Sequence, residues 1–321
     1  TAAFFYRILY ALGIPLSLYD FTVVFPPIMA TTTCLVMYFL GKDVGGKEVG
    51  LLSALFMALN SSYIQRTSLG FFDDETVGVL GMVLFSYLFL RSLDGERPHR
   101  LSFLYAIFAG LTLGYVCISW GAARYALGVA AIFVVALVLL RRYSTRLLIS
   151  YSAVFGVTLL MSVVVPRLGV GFLLEPVSLA VLGLFGLLFL MEIFQRVNSS
   201  RGRLMLGMLF MVAGVAAAFI FAEKVTVMEA KFIGVINPFA RSPLVQSVAE
   251  HRPSAWGSFY YDLGIGAFFL VIGVFFTLQR PSNRNLFFSV FGLTALYSAS
   301  SMVRLMVLSA PAFSVLWALG L

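Results

Sequence analysis

Along this chain apolar residues run almost unbroken for stretches of 16 to 23 positions, separated by short polar interruptions. Eleven such runs fall near residues 21–40, 49–64, 76–91, 101–119, 122–140, 147–165, 172–194, 204–222, 259–278, 285–301 and 303–321. Runs of this length predict membrane-crossing helices, for which about 20 residues cover the hydrocarbon layer. A barrel would alternate apolar and polar positions with a period of two, and these runs are continuous. The predicted fold class is therefore an all-α polytopic membrane protein, a multi-span helical bundle. Several runs are shorter than 20 residues and must recruit flanking positions or thin the bilayer, so their ends are soft.

The interruptions sort by charge. "GKDVGGKE" (41–48), "RSLDGERPHR" (91–100), "RRYSTR" (141–146), "QRVNSSRGR" (195–203) and "QRPSNRN" (279–285) hold most of the Lys and Arg. The positive-inside bias places them in the cytoplasm. Residues 65–75, 119–124, 166–171, the long 223–258 and a tight turn near 302 then face outward. By parity residues 1–18 are outside too, and "FFYRILYALGIPLSLYD" suits an amphipathic helix on the outer surface better than a span. The remaining stretch, 19–321, is the transmembrane domain. A loop as long as 223–258 in a compact bundle is usually functional, and its aromatic, Val and Ile content argues against simple disorder.

Composition sharpens this picture. Hydrophobic residues make up 61% and charged residues 11%, against about 25% charged in soluble domains. The net charge of +8 follows from basic cytoplasmic loops and requires no nucleic acid partner. Cys34 and Cys117 lie inside apolar runs, where they read as small buried hydrophobes rather than a disulfide framework. Because the chain starts at Thr1 and stops at Leu321 directly after an apolar run, it is expected to be an interior piece of a longer protein.

Against this background the acids at the outer mouth are conspicuous. Asp73, Asp74 and Glu75 precede the third run, and Glu250 lies in the long outer loop. Carboxylates converging from separate loops suit a hard divalent cation, Mg2+ or Mn2+. The alternative is a solvated helix N-terminus, where acids complement the helix dipole. Arg304, about one turn into the last run, must face a cavity or partner, and its planar fork suits a phosphate; snorkelling to the interface is the alternative. Arg66 and Arg124 stand at the same mouth beside Trp120 and Tyr125, which also fit an aromatic belt. Other apparent motifs fail. "GKDVGGK" has phosphate-loop spacing, but Glu48 replaces the required Ser or Thr and no strand precedes it. Asn60 and Asn198 begin glycosylation acceptor patterns at a span end and in a cytoplasmic loop. His99 and His251 lack zinc-ligand spacing.

Four segments together resemble the catalytic subunit of oligosaccharyltransferase, the archaeal and eukaryotic enzyme of protein N-glycosylation. "YIQRTSLGFFDDETVGVLGM" is similar to its second acidic motif, with Arg66, Gly70, Asp73 and Glu75 in the matching places. "SVAEHRPSAWGSFYYDLG" resembles its Ser-Val-x-Glu loop, with Ser247, Val248 and Glu250. "MVRLMVLSAP", carrying Arg304, and "SWGAARYALG" resemble its late membrane motif and its Trp-Gly segment. The resemblance covers the chain in order. It implies a bundle of the lipid-phosphate-dependent (GT-C type) glycosyltransferases, in which the eleven runs are the second to twelfth spans and residues 1–18 end the first external loop. A first-loop metal-binding Asp would precede Thr1. A Trp-Trp-Asp sequence and a soluble C-terminal domain would follow Leu321.

The implied activity is inverting transfer of an oligosaccharide from a polyprenyl (dolichyl) phosphate or diphosphate to Asn of Asn-x-Ser/Thr in an acceptor polypeptide. Asp73, Glu75 and Glu250 would be catalytic and hold Mn2+ or Mg2+, Glu250 also contacting the acceptor amide. Arg304, with Arg66, Trp120 and Tyr125, would hold the lipid phosphate. Asp74 stands at a position the family varies and is expected to matter less. The site would face outside an archaeal-type cell membrane or into the endoplasmic reticulum lumen; accessory subunits, the glycan and the lipid length are left open. Rival readings are another polyprenyl-phosphate-dependent enzyme, such as a protein mannosyltransferase, and a transporter of lipid-linked glycans. A transporter tends to show internal repeats, and no convincing repeat is visible here.

Overall fold

The computed structural model describes residues 1–197, 241 and 247–321. The expected span 204–222 and most of the loop 223–258 lie outside the described residues. All regular structure among the described residues is helical. The chain divides into two compact units, residues 1–87 with 242–321 and residues 88–241.

In the first unit, α1 (Ala2–Ala11) is a short helix with no fully buried residue. Its Tyr6 and Leu9 pack on Phe21, Phe25 and Met29 of α2 (Leu18–Gly45). Ser17 caps α2 by accepting from the Asp20 amide at 3.0 Å. The helix ends at Gly46, whose φ of +95° a side chain would strain. It then turns directly into α3 (Lys47–Leu59), packed along α2. The 49–64 run is not one helix. Asn60 stops α3 and caps α4 (Ser61–Thr67), its Oδ1 accepting from the Tyr63 amide at 3.2 Å. After a turn through residues 68–74, α5 (Glu75–Ser92) begins on the third acid. Near the other end of the chain, the 259–278 run is broken: α10 (Trp256–Leu263) and α11 (Gly266–Gln279) meet at 83°. Following α12 (Asn283–Ser301), the last run starts as a 3-10 turn, Val303–Leu308, before α13 (Ser309–Gly320).

The second unit holds the later part of α5 and α6 (His99–Ser119), α7 (Ala123–Leu139), α8 (Thr145–Val164) and α9 (Pro176–Arg196). The 172–194 run opens with a 3-10 turn, Val170–Leu174, and the helix proper starts at Pro176, a residue suited to a first helical position. Close packing of α6 on α8 depends on Gly110. A Cβ there would sit 2.6 Å from the Val154 carbonyl oxygen, and Thr158 Oγ1 donates to the Gly110 oxygen at 3.1 Å. Lipid tails supply no hydrophobic drive between helices, so small-residue contacts and such hydrogen bonds hold them together.

Among the described residues, six helical stretches are long and apolar enough to cross a membrane, seven if α10 and α11 form one broken span. This is a multi-pass membrane protein. Because the obstacle at Gly110 is backbone, Gly110→Ala should lower stability by about 1–3 kcal/mol through overpacking. Thermal unfolding of the full-length protein in detergent checks this; an unchanged melting temperature would mean α6 and α8 can separate at no cost.

Candidate functional site

The acids owe their placement to the turn before α5. Gly70 takes φ +81°, and its amide donates to the Val23 oxygen of α2 at 3.0 Å, which pins the turn. Asp73 Oδ1 accepts from the Asp74 amide at 2.7 Å, and the Asp74 oxygen accepts from the Gly78 amide at 2.9 Å as α5 begins. Three carboxylates result, with one oxygen from each of Asp73, Asp74 and Glu75 within 4.8 Å of the others. Asp73 is half-buried, Asp74 exposed, and Glu75 only 2% exposed.

Electrostatics separates the two aspartates. Partial burial pushes the Asp73 carboxyl up, but hydrogen bonds from the Asp74 amide and the neighbouring acids, with the charge of Arg304, outweigh it and hold Asp73 below the usual range. Burial and the adjacent Asp73 carboxylate push Asp74 above it. Crowded acids resist ionising together.

Two arginines face Glu75. Arg304 Nε, from the 3-10 turn, donates to Glu75 Oε1 at 3.1 Å. Arg66 Nη1, from α4, lies 3.5 Å from Glu75 Oε2. That contact is an ion pair and not a hydrogen bond, since Oε2 is buried without a hydrogen-bond partner. Glu250 meets the same two arginines from the other side, 3.6 Å from Arg66 Nη2 and 4.0 Å from Arg304 Nε. It sits in a short 3-10 turn, Ala249–His251. The chain just beyond is tied to the Arg304 segment by backbone, Val303 N donating to Arg252 O and Ser254 N to Ser300 O, each at 3.0 Å.

The structure thus brings Arg66, Asp73, Glu75, Glu250 and Arg304 together within the first unit. It puts Asp74 in the carboxylate cluster, whereas Glu250 is outside that cluster and approaches Glu75 through the arginines. The donor set fits a hard divalent cation: three carboxylates offer oxygen ligands, and Glu75 Oε2 is a buried acceptor with no donor.

Trp120 and Tyr125 belong to the second unit, where Trp120 is buried at the end of α6. Arg124 is engaged there too. Its Nε and Nη2 donate to Glu175 at 2.6 and 2.5 Å, and its guanidinium lies over Phe172, 5.5 Å from the ring centre. Glu175 had escaped the sequence reading; an acid and an arginine, each bordering an apolar run on one expected side, were the available signal.

The sequence model for "Oligosaccharyl transferase STT3, N-terminal" matches residues 2–317. The chain belongs to the STT3 oligosaccharyl transferase family. It is 28% identical over 337 residues to the dolichyl-diphosphooligosaccharide–protein glycosyltransferase subunit STT3B of Oryza sativa subsp. japonica, covering 100% of this chain and 46% of that protein. The STT3 subunit of Dictyostelium discoideum is likewise 28% identical, over 332 residues, with the same coverages. The chain therefore spans a little under half the length of these curated STT3 relatives. Among solved structures, the archaeal oligosaccharyltransferase AglB from Archaeoglobus fulgidus, in complex with an inhibitory peptide and a dolichol-phosphate, matches with a TM-score of 0.76 and 18% identity. That alignment covers 98% of this chain and 40% of AglB. A further structure of the Archaeoglobus enzyme, a complex with Zn and sulfate, matches with a TM-score of 0.68. At this identity the likeness is one of fold, and the STT3 membrane bundle is the fold of this chain.

Within the site, removing the Arg304 guanidinium would leave the buried Glu75 carboxylate short of the cation that donates to it at 3.1 Å. Arg304→Ala should cost on the order of 1–3 kcal/mol of stability, and adding Glu75→Gln should recover much of it. A thermal-unfolding double-mutant cycle on the full-length protein measures this; strictly additive losses would show that the pair is not coupled.

Proposed function

We propose that this chain is the membrane part of an oligosaccharyltransferase catalytic subunit, moving an oligosaccharide from a polyprenyl phosphate or diphosphate to Asn of Asn-x-Ser/Thr. The observation that carries this reading is the confrontation of a three-carboxylate cluster with two arginines at one end of α5, in a chain of the STT3 family. In its support, relatives are named for dolichyl-diphosphooligosaccharide, one solved structure holds a dolichol-phosphate, and another is tethered to an acceptor peptide containing the NVT sequon.

The chemistry follows from the groups present. An amide nitrogen is a poor nucleophile because its lone pair is delocalised into the carbonyl. Glu250, half-exposed beside the arginines, would accept from the acceptor's N–H and fix it for attack on the anomeric carbon. Attack from the face opposite the leaving oxygen inverts that carbon, and the lipid phosphate departs with the bonding pair. Arg304 and Arg66 would clamp that phosphate, the planar guanidinium matching its oxygens. Asp73 and Glu75, with Asp74 beside them, would hold Mn2+ or Mg2+, which when bound supplies Lewis-acid stabilisation of the charge gathering on the leaving group. The reacting face would lie outside an archaeal-type cell membrane or in the endoplasmic reticulum lumen.

In the full-length protein, supplied with lipid-linked donor and a fluorescent sequon peptide, Asp73→Ala and Glu250→Gln should each lower glycopeptide formation by about 10²–10³-fold with the bundle intact. Turnover at the unsubstituted rate in either variant would remove the reading. Arg304→Ala should raise the KM for lipid donor and leave that for peptide nearly unchanged. The opposite pattern would move Arg304 to the acceptor side.

A further inference from the structure

The bend between α10 and α11 turns an apolar run through 83°. Gly264 makes the corner at φ +47°, its amide donating to the Tyr260 oxygen at 2.9 Å. The second arm, α11, presents Phe268, Val271 and Phe275 outward, as a lipid-facing helix does. It runs from the corner to Gln279, where the basic loop begins. If α11 crosses the bilayer, α10 must lie nearly in the membrane plane, at the end away from that basic loop.

The faces of α10 agree with this orientation. At 100° per residue, Trp256, Gly257, Tyr260 and Tyr261 fall within one arc of about 140°. The three aromatic residues in that arc are 79, 71 and 72% exposed. Phe259 and Leu263 fall outside that arc, on its Trp256 side, and are buried. The helix's single charge, Asp262, is on the inward side, with Oδ1 buried. The exposed face is therefore wholly uncharged, made of the ring types that favour the boundary between headgroups and hydrocarbon, and Ile265 at the corner beyond it is apolar and 75% exposed.

We propose that α10 is an interfacial anchor, seated in the lipid surface on the acid-cluster side with Trp256, Tyr260 and Tyr261 at the headgroup boundary. Its partner is the bilayer itself. Its inner side rests on α4, which carries Arg66, and Glu250 precedes it by six residues on a segment stitched to α12 and the Arg304 turn. The anchor consequently sets the depth at which Arg66, Glu250 and Arg304 stand relative to lipid headgroups. This placement is independent of the proposed reaction and can fail or hold without it.

Single spin labels at positions 256, 260 and 261 of the full-length protein in lipid vesicles read the depth, through collisions with oxygen and with a water-soluble nickel chelate. All three positions are exposed, so labelling should leave the fold intact. A helix in the plane puts the label at 260 deepest, just below the headgroups, and those at 256 and 261 at a common depth. A helix along the bilayer normal instead gives a steady change of about 7.5 Å from 256 to 261, which would overturn the proposal. So would labels that meet only the chelate, as in water, or neither reagent, as under a covering protein segment.

Discussion

A carboxylate almost fully withdrawn from solvent at the head of a membrane helix is the constraint around which the first unit is arranged. Glu75 is 2% exposed, and an isolated charge so placed would be very unfavourable. The structure answers with two guanidiniums, one on each oxygen, from segments far apart in the chain: Arg66 seven residues past the end of α3 and Arg304 in the last apolar run. Meeting that requirement forces the breaks in the helices. Arg66 reaches Glu75 because Asn60 ends α3 and lets α4 turn away, and Arg304 reaches it from a 3-10 turn. Glu250 completes the neutralisation from solvent, where a carboxylate costs little to hold, which leaves it free to exchange partners.

The distribution of acids has a chemical logic. Asp73 and Asp74 share one solvated turn and press each other's affinities for protons apart, whereas Glu75 is fixed by cations. A site made this way can accept added positive charge on its exposed side while its buried side stays compensated. An arrangement with all acids buried, or all exposed, would lack one of these properties.

Much of the architecture was readable from the chain. Apolar run length marked the helices, and quoted motifs placed Asp73, Glu75, Glu250 and Arg304 in one family's order. What hydropathy could not show were the internal stops. Gly264 interrupts a run whose average polarity hardly changes there, because a positive φ acts through backbone geometry and not through transfer free energy, and Asn60 stops its helix as a cap. Residues 303–308 form a 3-10 turn within an apolar run. Nor could spacing reveal who faces whom. Asp74 joins the acid cluster because the turn before α5 is tight, and Glu250 stands with the arginines because distant backbone strands the loop there. The bidentate pair of Arg124 and Glu175 similarly joins positions 51 residues apart, a separation across which no local periodicity operates.

The loop bearing Glu250 is fastened by main-chain groups, Arg252 and Ser254 to Val303 and Ser300. Every residue but proline carries both backbone groups, so non-proline substitutions at Arg252, Ser300 and Val303 can accumulate without unfastening it, whereas Ser254 also donates its hydroxyl to the Ala299 oxygen. Register cannot drift in the same way: one residue inserted or lost between 252 and 254 would offset the donor and acceptor pairs, and one between 250 and 252 would displace Glu250 from them. Divergence in this stretch should therefore proceed by exchange of side chains at fixed chain length.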